Sequence, residues 1–169
     1  MKFYLVLHRI RSAYNVGSMF RTADALGVDK IFITGYTQSP GKKDYSQQTK
    51  AEKMLAKTAL GADRFVPWEK QKRIGNLINK LKAKGIVVVA LEQDKNSIDC
   101  RNLSQLKKQL RNKRGLALVV GNETRGIDPR VKKKCEAIVE IPMRGQKESL
   151  NVAVAWGIAG FLLGEVLRN

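Results

Sequence analysis

The chain has 169 residues, of which 43% are hydrophobic, 28% charged and 7% aromatic. That is enough apolar material for one folded domain and too much for a disordered chain. Lys and Arg number 32 against 15 Asp and Glu, a formal charge of +17, which points to a polyanionic partner, nucleic acid first. The Cys and His content, Cys100, Cys135 and His8 alone, lacks the spacing of a zinc or iron–sulfur site, and no apolar run approaches the ~20 residues of a membrane span.

Short apolar runs alternate with helical patterns along the chain. Residues 3–8 (FYLVLH) predict a first strand. A helix is expected over 15–27, where Val16, Met19, Phe20 and Ala23 recur at helical spacing, Asn15 is placed to cap it and Gly27 closes it. The second strand is 30–34 (KIFIT), followed by a long polar loop at 35–49. Helices are expected over 50–60 and 68–84, the latter turning Ile74, Leu77, Ile78 and Leu81 inward. A strand at 86–91 (IVVVAL), a helix near 103–113 and a strand at 116–120 (LALVV) come next. A helix near 128–135, started by Asp128–Pro129, a strand at 137–141 (AIVEI) and a last helix over 150–167 complete the series.

Strands this uniformly apolar are covered on both faces. The order therefore predicts an α/β fold, an open, mainly parallel sheet flanked by helices. The last helix is apolar all round from Val152 to Phe161, which predicts burial on every side, part of it across a subunit interface. Small residues at Ala153, Gly157 and Gly160 would let another backbone come close. The first residues are charged too early for a signal peptide, so a cytoplasmic location with reduced thiols is expected.

The positive charge gathers in mid-chain. Residues 42–57 are rich in Lys, residues 101–114 include Lys107, Lys108 and Arg111, and residues 130–134 include Lys132, Lys133 and Lys134. Three such runs in one small domain suit a phosphate-binding surface. Ordinary nucleotide signatures are missing. There is no GxGxxG, and GNETRG is followed by Ile127 and Asp128 rather than by the Lys and Ser/Thr of a phosphate loop.

Three constellations carry the functional reading. NVGSMFRTADALG (15–27) places Arg21 about 140° from Val16 on the helical wheel, away from the core. ALVVGNETRGID (117–128) ends an apolar strand in Gly121, Asn122 and Glu123, at the carboxyl edge where α/β sheets form binding crevices. Glycines there allow backbone to be laid against a ligand. EIPMRGQKESLNVAVAWGIAG (140–160) joins a strand end at Ile141–Pro142 to a helix opened by Ser149 or Asn151. Taken singly, each also fits an ordinary cap or turn.

With all three in order, the sequence resembles the SpoU (TrmH-like) family of RNA ribose 2′-O-methyltransferases, in the knotted SPOUT class. The matching patterns are N-x-G-x-x-x-R-T-A-x-x-x-G at 15–27, l-v-x-G-N-E-x-x-G at 118–126 and I-P-M…x-E-S-L-N-V-A-x-A at 141–155. The resemblance covers residues 3–167 and implies a single SpoU-type domain over 1–169, a C-terminal trefoil knot and no appended RNA-binding domain. It implies S-adenosylmethionine as cofactor, held by Leu91, Glu92, Gly121, Asn122, Glu123, Ile141, Met143, Ser149 and Leu150. Arg21 would be the catalytic arginine, with Asn15, Glu123, Ser149 and Asn151 around it. A homodimer sharing residues between subunits is expected, with neither metal nor membrane.

The resemblance leaves two roles open for Arg21, a base assisted by an RNA phosphate or a cation that stabilises the developing alkoxide. Candidate RNA contacts are Arg11, Arg21, Arg125 and the basic residues 107, 108, 111 and 132–134 named above. The expected substrate is tRNA or rRNA, with a lean to tRNA. The alternative is a non-catalytic RNA-binding or ribosome-assembly protein that keeps the fold, and the intact Asn15, Arg21, Glu123, Ser149 and Asn151 argue against it.

Overall fold

The computed structural model describes residues 1–41, 44–102 and 104–168. Lys42 and Lys43 of the first basic run, and Leu103 near the expected start of a helix, lie outside the described residues. Among those described, seven strands pair in parallel throughout, in the order β3-β2-β1-β6-β4-β7-β5. They are β1 (Lys2–His8), β2 (Lys30–Thr34), β3 (Trp68–Gln71), β4 (Ile86–Leu91), β5 (Ile98–Asp99), β6 (Gly115–Val120) and β7 (Ala137–Glu140). The helices are α1 (Ala13–Ala25), α2 (Lys50–Ala59), α3 (Ala62–Phe65), α4 (Ile74–Ala83), α5 (Ser104–Leu110), α6 (Pro129–Lys132) and α7 (Val152–Arg168).

Alternate strand residues face opposite ways, and both faces are covered, as the uniform apolarity predicts. Leu5, Leu7, Leu118 and Val120 pack with Phe20 of α1, Leu55 of α2, Leu106 of α5 and Trp156 of α7. Val6, Val88 and Val119 pack on the other side with Leu77, Ile78 and Leu81 of α4 and Val131 of α6. Among the described residues no helix is long and apolar enough to cross a membrane.

Three local expectations are corrected. The helix expected over 68–84 begins only at Ile74, because its inward periodicity starts there. Trp68–Gln71 instead form an edge strand in register with Ile31–Thr34. Helix α1 begins before Asn15, and the cap is Ser12, whose hydroxyl accepts from the backbone N–H of Asn15 at 3.3 Å. On helix α7, Val154, Ile158 and Phe161 form a stripe with 51%, 40% and 55% exposure, so the single chain covers only part of the helix and the rest of the expected burial is left to a subunit interface. Finally, Gly160 makes room for its own helix's Trp156 ring rather than for a second backbone, since a Cβ there would stand 2.6 Å from that indole.

Candidate functional site

Parallel strands end at one edge of the sheet, so the segments after β4, β6 and β7 open together there. The segment after β6 folds back on itself. Asn122 N donates to Gly126 O at 3.2 Å, and Gly126 N returns a bond to Asn122 O at 2.9 Å. The buried Asn122 side chain is spent inside the protein. Its Nδ2 donates to Arg9 O at 3.1 Å and Tyr36 Oη at 2.9 Å. Its Oδ1 accepts from Thr124 N, Thr124 Oγ1 and Arg125 N at 3.0, 2.9 and 2.8 Å.

The segment after β4 fastens its neighbours on either side. Glu92 accepts from Ile127 N at 2.8 Å, and Gln93 Nε2 donates to Glu148 O at 2.6 Å. Gly126 has φ +64°, and a Cβ there would fall on the Glu92 carboxylate. At Gly121 a Cβ would stand 2.5 Å from Ile127 Cγ1 and 2.7 Å from Gly126 C. The two glycines therefore serve the turn's approach to its own neighbours, where the sequence suggested approach to a ligand.

Between these segments lies a cavity of about 310 Å³, within the range of small-molecule sites. All nine residues expected to hold the cofactor line it: Leu91, Glu92, Gly121, Asn122, Glu123, Ile141, Met143, Ser149 and Leu150. Gln93, Thr124, Gly126, Glu140, Glu148, Val152 and Ala155 complete the wall. Sequence reasoning missed Gln93. Its position just past the strand end was the available signal, while its link to Glu148 was not legible. The wall contains Glu92, Glu123, Glu140 and Glu148 and no Lys, Arg or His. In a chain of formal charge +17, this cavity is suited to a cation.

Glu123 joins two of the constellations. Its Oε2 accepts from Arg11 N at 3.0 Å, and its Oε1 accepts from Ser12 N at 3.0 Å and Asn15 Nδ2 at 3.1 Å. Burial alone would push this carboxyl up, but the bonds from Arg11, Ser12 and Asn15 hold it below the ordinary glutamate value. Asn151 brings in the third constellation: its Nδ2 donates to Asn15 Oδ1 at 3.2 Å, and its Oδ1 caps α7 at Ala153 N, 2.9 Å away. Asn15, Glu123 and Asn151 thus form one chain of contacts beside the cavity, with Ser149 in its wall.

Arg21 stands apart. It is exposed on α1 and lines a different groove with Ser18, Thr22, Lys57 and Thr58. Six residues beyond Asn15 carry it about 9 Å along the axis and onto another face. Arg11 and Arg125 are exposed at the ends of the Glu123 and Asn122 contacts. Lys107, Lys108 and Arg111 are exposed on or just after α5. Lys133 and Lys134 are exposed after α6, but Lys132 is only 18% exposed and pairs with Asp94 at 2.7 Å. Helices α5 and α6 pack on opposite faces of the sheet, so these two basic runs do not make one surface.

His8 is buried, with Nδ1 2.8 Å from Thr34 Oγ1, and burial, aided by the Arg9 charge, lowers its pKa to about 4. Both cysteines are free, and burial pushes the Cys135 thiol up to about 12, which keeps it unreactive. No group of three or more His, Cys, Asp or Glu among the described residues is arranged to hold a metal ion.

An all-parallel α/β sheet with an acid-walled cavity at the strands' carboxyl edge defines a small-molecule-binding α/β domain. More particularly, the model of the SpoU rRNA Methylase family matches residues 2–161, and the chain belongs to that family. It is 32% identical over 167 residues to Bacillus subtilis YacO, named for the TrmH family of tRNA/rRNA methyltransferases, covering 99% of this chain and 59% of that one. The fold matches an AdoMet-bound rRNA methyltransferase from Sinorhizobium meliloti with a TM-score of 0.81 and 27% identity, covering 98% of this chain and 57% of that one. The AdoMet complex of the SpoU methyltransferase AviRb from Streptomyces viridochromogenes shares the fold, with a TM-score of 0.78 at 22% identity over 99% of this chain and 61% of that one. The chain spans about three fifths of the length of the curated relatives it matches.

Proposed function

We propose that the chain transfers a methyl group from S-adenosylmethionine to a ribose 2′-hydroxyl of RNA, tRNA being the first substrate to test and rRNA the second. The observation that carries this reading is the acid-walled cavity at the junction of the three constellations. Four glutamates and no basic side chain disfavour a nucleotide phosphate and favour a ligand bearing sulfonium and ammonium charges. Apolar wall residues Leu91, Ile141, Leu150 and Val152 suit the flat face of an adenine. Membership of the family and the cofactor-bound S. meliloti structure support the same assignment.

Bound S-adenosylmethionine supplies an electrophilic methyl group. The chain's own task is to hold the ribose oxygen in line with it and to stabilise the charge that develops on that oxygen. Arginine being a poor proton acceptor, Arg21 fills the second task as an electrostatic partner rather than as a base. Glu123 is a poor proton acceptor, because its carboxylate already accepts three hydrogen bonds that favour the charged form. Its part, with Asn15 and Asn151, is to fix the start of α1 and the start of α7 against the cavity.

Because Arg21 does not line the cavity of its own chain, this reading takes it from a second copy in a homodimer. The exposed stripe Val154, Ile158 and Phe161 on α7 supports such a contact, since an apolar stripe of this kind is best covered by an equivalent surface. The trefoil knot implied by the family resemblance belongs to the same reading, as do the RNA contacts of Arg11 and Arg125 at the cavity's rim. Calorimetry with S-adenosylmethionine tests the assignment. Sub-millimolar binding is expected, and no binding at that concentration would leave a non-catalytic RNA-binding protein instead.

A further inference from the structure

Beside Arg21 the surface carries a second groove, of about 290 Å³, between α1, α2 and the turn at Tyr45–Gln47. Its walls are Tyr14, Tyr45, Lys50, Lys53, Met54 and Lys57, none of them acidic. Tyr14 and Tyr45 are 41% and 57% exposed. Lys53 Nζ lies 5.3 Å from the centre of the Tyr45 ring. Lys57 also lines the groove that contains Arg21, so the two depressions run into one another along α2. The wall between them is firm, because Gly17 lets α1 lie directly on Leu55 and Thr58 of α2.

A lysine-rich helix face is ordinarily just solvated. This one differs from the other two basic runs in chemistry. No aromatic residue occurs between Trp68 and Trp156, so neither the run at 101–114 nor that at 130–134 contains a ring on which a base could stack. The α1–α2 groove combines exposed aromatic rings with three lysines and no acidic residue in its own wall, the pair of features by which proteins hold unpaired nucleotides.

We propose that this groove binds an unpaired RNA nucleotide next to the one to be methylated, its base stacked on Tyr45, the more exposed of the two rings, and its phosphates met by Lys53 and Lys57. The strand then continues past Lys57 to Arg21. The inference rests on the RNA-methyltransferase reading and deepens it: the substrate is a single-stranded loop or end rather than a continuous duplex.

The test is fluorescence anisotropy of the full chain with a labelled single-stranded oligoribonucleotide and with the same strand in a perfect duplex. The single strand should bind more tightly. Tyr45→Ala should weaken it about tenfold, while Tyr45→Phe, which keeps the ring, should bind as the unaltered chain does. Lys57→Ala should lower the dependence of log affinity on log salt by about one unit. None of the three should change S-adenosylmethionine affinity. Equal affinity for duplex, unchanged binding by Tyr45→Ala, or displacement of the RNA by polyglutamate at equal charge would overturn the proposal, the last by making the groove an acceptor for acidic protein. Groove-dependent binding of single strands by a chain that does not take up S-adenosylmethionine would uphold the groove as a single-strand site and remove the catalytic reading, with the groove's place beside a methylated nucleotide.

Discussion

Asn15 Nδ2 donates to Glu123 Oε1 at 3.1 Å across 108 residues of chain, and this bond locks the start of α1 to the turn that ends β6. Glu123→Ala removes three acceptor contacts at once. It should lower stability by about 1–3 kcal/mol and the melting temperature by about 3–10 °C, and weaken S-adenosylmethionine binding in parallel. Glu123→Gln keeps one acceptor oxygen and should lose less of both. Because the folded-state carboxyl is held below its ordinary value, its contribution is present above the unfolded glutamate range and is lost as pH falls through the folded value. Calorimetric melts of both variants check this.

Two glycines that look alike in the sequence should respond in opposite ways. Gly126→Ala forces a left-handed φ of +64° and a Cβ onto the Glu92 carboxylate, so cofactor affinity should fall by at least tenfold, on the order of 1–3 kcal/mol of strain. Gly145→Ala meets nothing within 4 Å and should leave affinity unchanged. Calorimetric titration of the two variants separates the cases.

Arg21→Ala should abolish methyl transfer while leaving S-adenosylmethionine affinity intact, because Arg21 does not line that cavity. Phe161→Asp, on the exposed stripe of α7, should convert a dimer to monomers in sedimentation velocity and reduce methyl transfer with it. Mixing the two inactive variants should restore part of the activity if Arg21 acts across subunits and heterodimers form.

His8 gives a pH signature that no other imidazole can obscure, since it is the only histidine. Its pKa is lowered from 6.5 to about 4 by burial, so the unfolded chain binds the extra proton first. Stability should be at its full value above pH 6.5 and decline as pH falls from 6.5 toward 4, by roughly 1–2 kcal/mol after allowance for solvent screening. Urea titrations at intermediate pH check the slope. An imidazole NMR midpoint near the unperturbed value would contradict it.

Much of this was legible in the chain because the informative signals were local. Apolar runs such as IVVVAL and LALVV mark the central strand β6 and its neighbour β4, and the end of LALVV marks a crevice at 121–123, while the nine expected cofactor residues come from the family resemblance. What escaped depended on distant partners. Trp68–Gln71 reads as the start of a helix until β2 is there to pair with it. Asn15 looked like a cap, and only the Glu123 carboxylate and Asn151 reveal that its amide is used across the fold. Lys132 reads in the sequence as free charge, whereas in the fold Asp94 pairs with it. The distance of Arg21 from the cavity is likewise a property of helix length and packing, not of motif order.

The most direct test incubates the protein with S-adenosylmethionine labelled in its methyl group and with tRNA or rRNA, then digests the RNA with alkali. The account predicts label in alkali-resistant dinucleotides, because a 2′-O-methyl ribose cannot assist cleavage of its own phosphodiester. Label released in mononucleotides would place the methyl on a base, and RNA left unlabelled by a cofactor-binding protein would contradict methyl transfer altogether.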